Sequence, residues 1–266
     1  MLSLLDPQAK LVIAHRGNSA HYPENTMASF QSAVDLGVDA LEFDLRLTRD
    51  GVAVVHHDPT LDRTTSGTGP LSARTLAELK TLDAGARFTR DGSHPYKGQG
   101  ITIPTFEEVL EAFPATPFII ELKVPEVAAE TRRLLEKHHA TGKVIVDSFA
   151  PGALDPLRGS DIALGASSAG AYRMLRHLVT GPPRPGTLNF RALCIPWTYR
   201  GVPVPCGAIA RSAKHAEVVT HVWTVDSPRL AERLWAGGVN GIVTNDPRMI
   251  MLARDQHTVG RAPAMV

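Results

Sequence analysis

Cysteine is scarce in this chain. Its 266 residues include two, Cys194 and Cys206, neither in a C-x-x-C, so no disulfide framework staples the fold and a reducing compartment is the default. Net charge is scarce as well: 28 Lys and Arg stand against 27 Asp and Glu, well mixed, for a formal +1. That balance provides no electrostatic footprint for nucleic acid or an anionic membrane. No uninterrupted apolar run approaches the roughly 18 residues that a membrane span needs. The first ten residues include Asp6 and Pro7 and lack the basic start and apolar core of a signal peptide. No G-x-G-x-x-G follows an expected strand, which argues against an open dinucleotide-binding sheet. The expectation is a soluble, cytoplasmic chain, long enough to bury about three quarters of its unfolded surface as one domain.

The most informative stretch runs from Ala40 to Asp58, A-L-E-F-D-L-R-L-T-R-D-G-V-A-V-V-H-H-D. Leu41, Phe43, Leu45 and Leu47 fall on one face of a strand; Glu42, Asp44 and Arg46 fall on the other. A helix-like segment precedes and an apolar run follows, so neither face is expected to meet solvent. Two carboxylates at i, i+2 facing inward repel each other and lose hydration unless a cation lies between them. A divalent metal is the economical answer.

Read in order, Leu11–Ala14 is a buried strand ending in His15-Arg16-Gly17. A helix spans Thr26 to Leu36, with Asn25 as N-cap and Gly37 as its stop. The Ala40 strand follows, then a turn at Arg49-Asp50-Gly51 and a second extended run to His57. From Pro59 to Thr102 the pattern breaks into loop chemistry around one short helix, Thr75–Leu82, with a Thr75/Glu78 capping box. This stretch, residues 59–102, reads as an insertion. Helices then begin at Thr105, Val127, Gly152, Ala171, Ala208, Ser227 and Pro247. They alternate with strands at 117–123, 144–149, 162–166, 192–196, 218–225 and 241–244. About eight strands in β–α alternation is the number that closes a barrel, so the expected fold is α/β, a (β/α)8 TIM barrel with a small inserted subdomain.

In such a barrel the chemistry lies at the C-terminal ends of the strands. His15-Arg16, Glu42-x-Asp44 and Glu121-x-Lys123 all sit there, each placing charge where an apolar strand stops. Three oxygen ligands from two strands suit one hard divalent cation, Mg²⁺ or Ca²⁺, better than zinc. Dinuclear zinc chemistry would need His pairs at ligand spacing, and H-x-H is missing. Of the neighbours His56 and His57, which point to opposite faces of a strand, periodicity favours neither. Trp223, near a strand end, is either core or a substrate platform. His21, His94 and His215 read as surface residues, and the two cysteines as inert.

Taken together, these motifs resemble the glycerophosphodiester phosphodiesterases. The resemblance is carried by H-R-G at His15–Gly17, P-E-N-T at Pro23–Thr26, L-E-F-D at Leu41–Asp44 and D-G-V-A-V-V-H-H-D at Asp50–Asp58. It continues in T-L-D-R-T-T at Thr60–Thr65, I-P-T-F-E-E-V-L at Ile103–Leu110 and E-L-K at Glu121–Lys123. V-W-T-V-D at Val222–Asp226 and G-V-N-G-I-V-T-N-D-P at Gly238–Pro247 complete it. It implies a barrel with an inserted subdomain and metal-dependent hydrolysis of glycerophosphodiesters to glycerol 3-phosphate and an alcohol. By the same resemblance Glu42, Asp44 and Glu121 are metal ligands, and His15 and His57 an acid/base pair. The resemblance likewise implies that Arg16 and Lys123 hold phosphate. Asn240 departs from the family, which usually has Asp there. A cyclic phosphate, formed by a substrate hydroxyl, is the alternative product. A silent barrel serving as a binding module would be expected to have lost one of these groups, and all are present.

Overall fold

The computed structural model describes residues 3–259. Strand β1 (Leu11–His15) leads by a loop to α1 (Met27–Leu36), and β2 (Ala40–Leu47) follows. The cap of α1 is Thr26, one residue later than expected: the Thr26 and Ser29 side chains cap each other's backbone N–H groups. Asn25 is instead held at φ +56°, and its amide is used in the site described below. Gly37 ends the helix in the left-handed conformation, as a residue without a Cβ can at no steric cost. The turn at residues 49–51 folds β3 (Ala53–Val55) back antiparallel on β2, Leu45 opposite Val55. The second extended run is therefore a flap on β2 and not a barrel strand, and it stops before His56.

Two short capped helices follow, α2 (Leu76–Leu79) and α3 (Phe106–Ala112), each opened by a Thr/Glu capping box. Then come β4 (Phe118–Leu122), α4 (Ala128–Lys137), β5 (Val144–Asp147), β6 (Ala163–Leu164), α5 (Ser168–Thr180) and β7 (Ala192–Pro196). A hairpin of β8 (Thr198–Tyr199) and β9 (Val202–Pro203) precedes α6 (Cys206–Lys214). The chain ends in β10 (Val219–Trp223), α7 (Pro228–Ala236), β11 (Gly241–Thr244) and α8 (Pro247–Val259). The helix expected near Gly152–Arg158 does not form. Gly152 and Gly159 both take positive φ, and only a 3₁₀ turn at Asp155–Leu157 lies between them.

Eight parallel strands lie side by side in the order β6-β5-β4-β2-β1-β11-β10-β7. A single bridge, Gly165 to Ala192, links the two ends into a nearly closed barrel. The pleat sorts every strand. Leu41, Phe43, Leu45, Phe118, Ile120 and Leu122 point outward and are buried under α1, α3 and α4 in the largest apolar cluster. Inward positions of the lower layers, Leu11, Ile13, Ala40, Ile119, Ile145, Val219 and Val243, form a separate cluster that Leu4 and Leu5 close from below. His221 belongs to this floor: it is fully buried and its Nε2–H donates to the Leu4 carbonyl. Asn240 is also there, its Oδ1 accepting from the Thr220 amide at 2.9 Å, so the departure at this position bears on packing beneath the barrel.

Residues 59–102 contribute no barrel strand. Leu61, Leu71, Leu79, Ala84 and Ile103 pack with Val54 into a small cluster of their own. The segment reaches back over the β1–α1 loop, where the Tyr96 hydroxyl donates to the His21 carbonyl at 2.9 Å and the Tyr22 and Tyr96 rings meet at 5.3 Å.

Candidate active site

Strand register assembles a charged layer above the apolar floor. Asp44 is paired in register with Glu121, and Glu121 with Asp147; His15 is paired with Glu42. All are inward positions: His15, Glu121 and Asp147 stand at the C-terminal ends of their strands, and Glu42 and Asp44 lie within β2 before it runs on to pair with β3. His15, Glu42, Glu121 and Asp147 line one cavity of about 160 Å³, together with Arg16, His57, Lys123, Phe149, Cys194 and Trp223. Every residue expected from the sequence to act in catalysis, phosphate binding or metal binding is thus at this cavity, except that Asp44 lies just beneath its surface, 1 % exposed.

The turn after β1 is built for close approach. Arg16 adopts φ +56° and Gly17 φ +85°, and a Cβ on Gly17 would stand 2.3 Å from Ser29 Oγ. Ser29 Oγ–H and the Asn25 backbone N–H both donate to the Arg16 carbonyl. The Arg16 N–H is thereby turned toward Glu42, donating to its carbonyl and lying 3.1 Å from Oε2. The Arg16 guanidinium reaches Glu24 at 2.7 Å and sits 3.3 Å from Asp44 Oδ2. Lys123 Nζ bridges Asp44 Oδ1 at 2.9 Å and Glu121 Oε1 at 2.7 Å. Asn25 donates to Asp44 Oδ2 at 2.9 Å.

The two imidazoles are held differently. His15 Nδ1–H donates to Asn245 Oδ1 at 2.7 Å. The Asn245 amide is oriented in turn by Asp226, which accepts from its Nδ2 at 2.8 Å and from its backbone N–H. That fixes the tautomer and leaves His15 Nε2 as a lone pair 3.9 Å from Glu42. Burial, with help from the Arg16 charge, pushes His15 down to about 4. His57 donates Nδ1–H to Asp58 Oδ1 at 2.7 Å. Asp58 is held well below the usual carboxylate range: Arg63 and His57 bond it and outweigh its partial burial. Arg63 also grips both oxygens of Glu24, at 2.7 and 2.8 Å. Glu24 sits at about 2, since Arg63 and Arg16 outweigh its burial. His56 points elsewhere, Nε2 to the Thr60 carbonyl.

Four carboxyls in one buried layer cannot all be ionised unaided. Burial, then the neighbouring Asp44 charge, holds Glu42 well above its ordinary range. Burial raises Glu121 against the pull of Lys123. Asp147, buried and facing the Glu121 charge, is pushed up to about 7. Asp44 alone is held low, at about 2, because Lys123 and Arg16 outweigh its burial. Oxygens of Glu42, Asp44 and Glu121 lie within 4.8 Å of one another. This buried, all-oxygen set, with three carboxyl groups brought close together, fits a hard divalent cation.

Asp147, Asn245 and Phe149 are site residues that the sequence reading did not single out. Asp147 ends an apolar run, V-I-V-D, as Glu121 ends F-I-I-E, and that parallel was the available signal. The Phe149 ring meets Trp223 edge-on at 6.1 Å, giving the charged cavity one apolar wall. Cys194 lines the cavity but burial holds its thiol well above the ordinary range, and Cys206 is raised to about 11.

Comparison with known proteins decides the family. The model of the glycerophosphoryl diester phosphodiesterase family matches residues 15–249. The chain belongs to the glycerophosphoryl diester phosphodiesterase family. A glycerophosphodiester phosphodiesterase of Caldanaerobacter subterraneus is 32% identical over 257 residues, covering 91% of this chain and 96% of that one. A probable glycerophosphodiester phosphodiesterase 2 of Mycobacterium tuberculosis is likewise 32% identical, over 93% and 92% of the two chains. Among solved structures, an Oleispira antarctica phosphodiesterase in complex with the product sn-glycerol-3-phosphate superposes with a TM-score of 0.75 at 29% identity, over 92% of this chain and 96% of that one. Family membership thus matches the barrel. Among the described residues no helix is long and apolar enough to cross a membrane.

Proposed function

We propose that this chain hydrolyses glycerophosphodiesters to glycerol 3-phosphate and an alcohol, with His15 as general base and His57 as general acid. The observation that carries the reading is the pairing of the two imidazoles at one cavity: His15 is fixed by Asn245 with Nε2 unprotonated, and His57 is backed by the Asp58 carboxylate. His15 Nε2 takes a proton from the attacking water as its oxygen bonds to phosphorus. The bond from phosphorus to the alcohol oxygen breaks, and His57 delivers the proton that oxygen needs. The charge behind His57 offsets the positive ring that holds this proton. Arg16 and Lys123, at the same cavity, neutralise the phosphoryl oxygens. Trp223 and Phe149 flank the organic part of the substrate.

Glu42, Asp44 and Glu121 would hold one divalent cation, Mg²⁺ or Ca²⁺. When bound, it supplies Lewis-acid neutralisation of phosphoryl charge. The insertion at 59–102 holds the rim, since Arg63 ties Asp58, behind His57, to Glu24, beside Arg16. Two buried free thiols accord with a cytoplasmic, reducing setting.

Phosphorus NMR of a panel of glycerophosphodiesters with metal-loaded protein tests the reading. Glycerol 3-phosphate is the expected product; accumulation of a cyclic phosphate would replace water by a substrate hydroxyl as the nucleophile. Chelation should abolish turnover, and Mg²⁺ or Ca²⁺ should restore it. The same ion should raise Tm in wild type, by up to about 3 kcal/mol of linkage at a hundredfold excess over Kd, and not in E42Q/E121Q. Full turnover in metal-free protein would remove the cation from the account.

A further inference from the structure

The chain's near-neutral total conceals a local imbalance. Residues 162–216 contain seven Lys and Arg and no Asp or Glu, while the rest of the chain, with 21 Lys and Arg against 27 Asp and Glu, carries −6. All seven cations are exposed. None has a carboxylate within ion-pair distance among the described residues, although Arg63, Lys80, Arg132, Arg133 and Arg158 elsewhere all do. The same segment holds seven of the ten large apolar side chains that stand exposed among the described residues.

Helix α5 concentrates both features. Gly170 and Met174 face the barrel. At the outward angles, Tyr172, Leu175 and Val179 (59 %, 39 % and 90 % exposed) form one stripe, with Arg173 and Arg176 beside it. A surface helix of a globular protein ordinarily turns polar residues outward. At the foot of α5 lies a groove of about 400 Å³ whose lining includes Arg173, His177 and Arg184. The chain runs from α5 into β7 and then into the β8–β9 hairpin, which exposes Trp197, Tyr199 and Val202 around Arg200. The hairpin is tied to the catalytic mouth: the Trp197 N–H donates to the carbonyl of Trp223 at 2.9 Å.

We propose that the α5 face and the β8–β9 hairpin dock on the surface of an anionic phospholipid bilayer. Charge complementarity selects the occupant. Arginines interleaved with Leu, Val and aromatic side chains match a surface with anionic headgroups above hydrocarbon. A second copy docking this face against itself about a two-fold axis would set seven like charges against seven. A nucleic-acid backbone would find the cations but leave Leu175 and Val179 without a partner. Docking this way brings the mouth beside Trp223 close to the lipid surface. The proposal does not depend on the catalytic reading.

Flotation with vesicles tests it, comparing phosphatidylcholine alone with phosphatidylcholine containing about one third phosphatidylglycerol. The full chain should float with the anionic vesicles only. R173A/R176A should weaken partitioning by roughly 30-fold, at about 1 kcal/mol per basic residue near the surface. L175S/V179S should weaken it by roughly tenfold or more through lost apolar burial. Both pairs are exposed, and unchanged thermal unfolding would show that neither variant is misfolded. Equal flotation with both vesicle types, or variants that float as wild type does, would overturn the proposal. So would retention on a duplex oligonucleotide without flotation, or a dimer in ultracentrifugation that L175S/V179S dissociates while wild type fails to float.

Discussion

At the scale of single residues, the two imidazoles are chemically alike and set apart by what stands behind them, an amide for His15 and a carboxylate for His57. A natural diester expels a strongly basic alkoxide, which needs a proton; a p-nitrophenyl diester expels a weakly basic phenolate, which hardly does. H57A should therefore lose roughly 10²–10⁴-fold on a glycerophosphodiester and little on the nitrophenyl substrate, whereas H15A should be impaired on both. Equal losses in all four assays, with metal saturating, would mean that the two rings do not divide the labour. The Gly17 turn makes a second expectation. G17A introduces a Cβ 2.3 Å from Ser29 Oγ and 2.7 Å from the Ser29 carbonyl carbon at a positive φ. It should lower stability by about 2–3 kcal/mol in urea unfolding. It should also depress kcat, because the same turn aims Arg16. The charged strand ends were legible in sequence because Glu42, Asp44, Glu121 and Lys123 interrupt apolar runs in register with the pleat. The supporting groups were not. Asn25 looks like a cap and Asn245 like a turn residue before Asp-Pro, and what they bond is fixed only by strands distant in the chain. The choice of His57 over His56 needed the family resemblance, because strand β3 ends before either.

Elements divide the barrel into an upper charged layer and a lower apolar one, and the lower layer carries its own titratable group. His221 Nδ1 is buried with no hydrogen-bond partner among the described residues, and burial lowers the ring to about 4. Between pH 6.5 and about 4 the unfolded chain takes up a proton that the folded chain refuses. The stability attached to this residue is therefore complete above pH 6.5 and is lost as pH falls toward 4, by at most about 3 kcal/mol. Urea midpoints of wild type and H221Q, compared at pH 7.5 and 4.5, should converge or cross on acidification; a constant gap would show that His221 does not titrate on unfolding. Strands and helices with full caps were readable in sequence to within a few residues. The 152–158 stretch was misread because apolar spacing alone does not reveal glycines committed to positive φ.

For the whole molecule, residues 59–102 pack largely in a cluster apart from the main cores and meet the barrel at the cavity. Residues 59–102 bury a small core with Val54 and Ile103, and Arg63 supports Asp58 and Glu24. Replacing the segment with a short linker should spare folding, seen as a cooperative melt, and should reduce turnover and flatten discrimination among leaving alcohols. Unchanged selectivity would leave the insertion without a part in substrate choice. The eightfold strand count was legible because alternation of β and α survives even when one element is misread. The closure was not, since it rests on a single bridge between Gly165 and Ala192. Followed from one side of that bridge to the other, the strands run 7, 10, 11, 1, 2, 4, 5, 6, which is chain order entered part-way round. The barrel is thus a ribbon with a clasp. A circular permutant opened between α5 and β7 would write the sheet from edge to edge in the order in which a ribosome makes it, each strand finding its neighbour already in place.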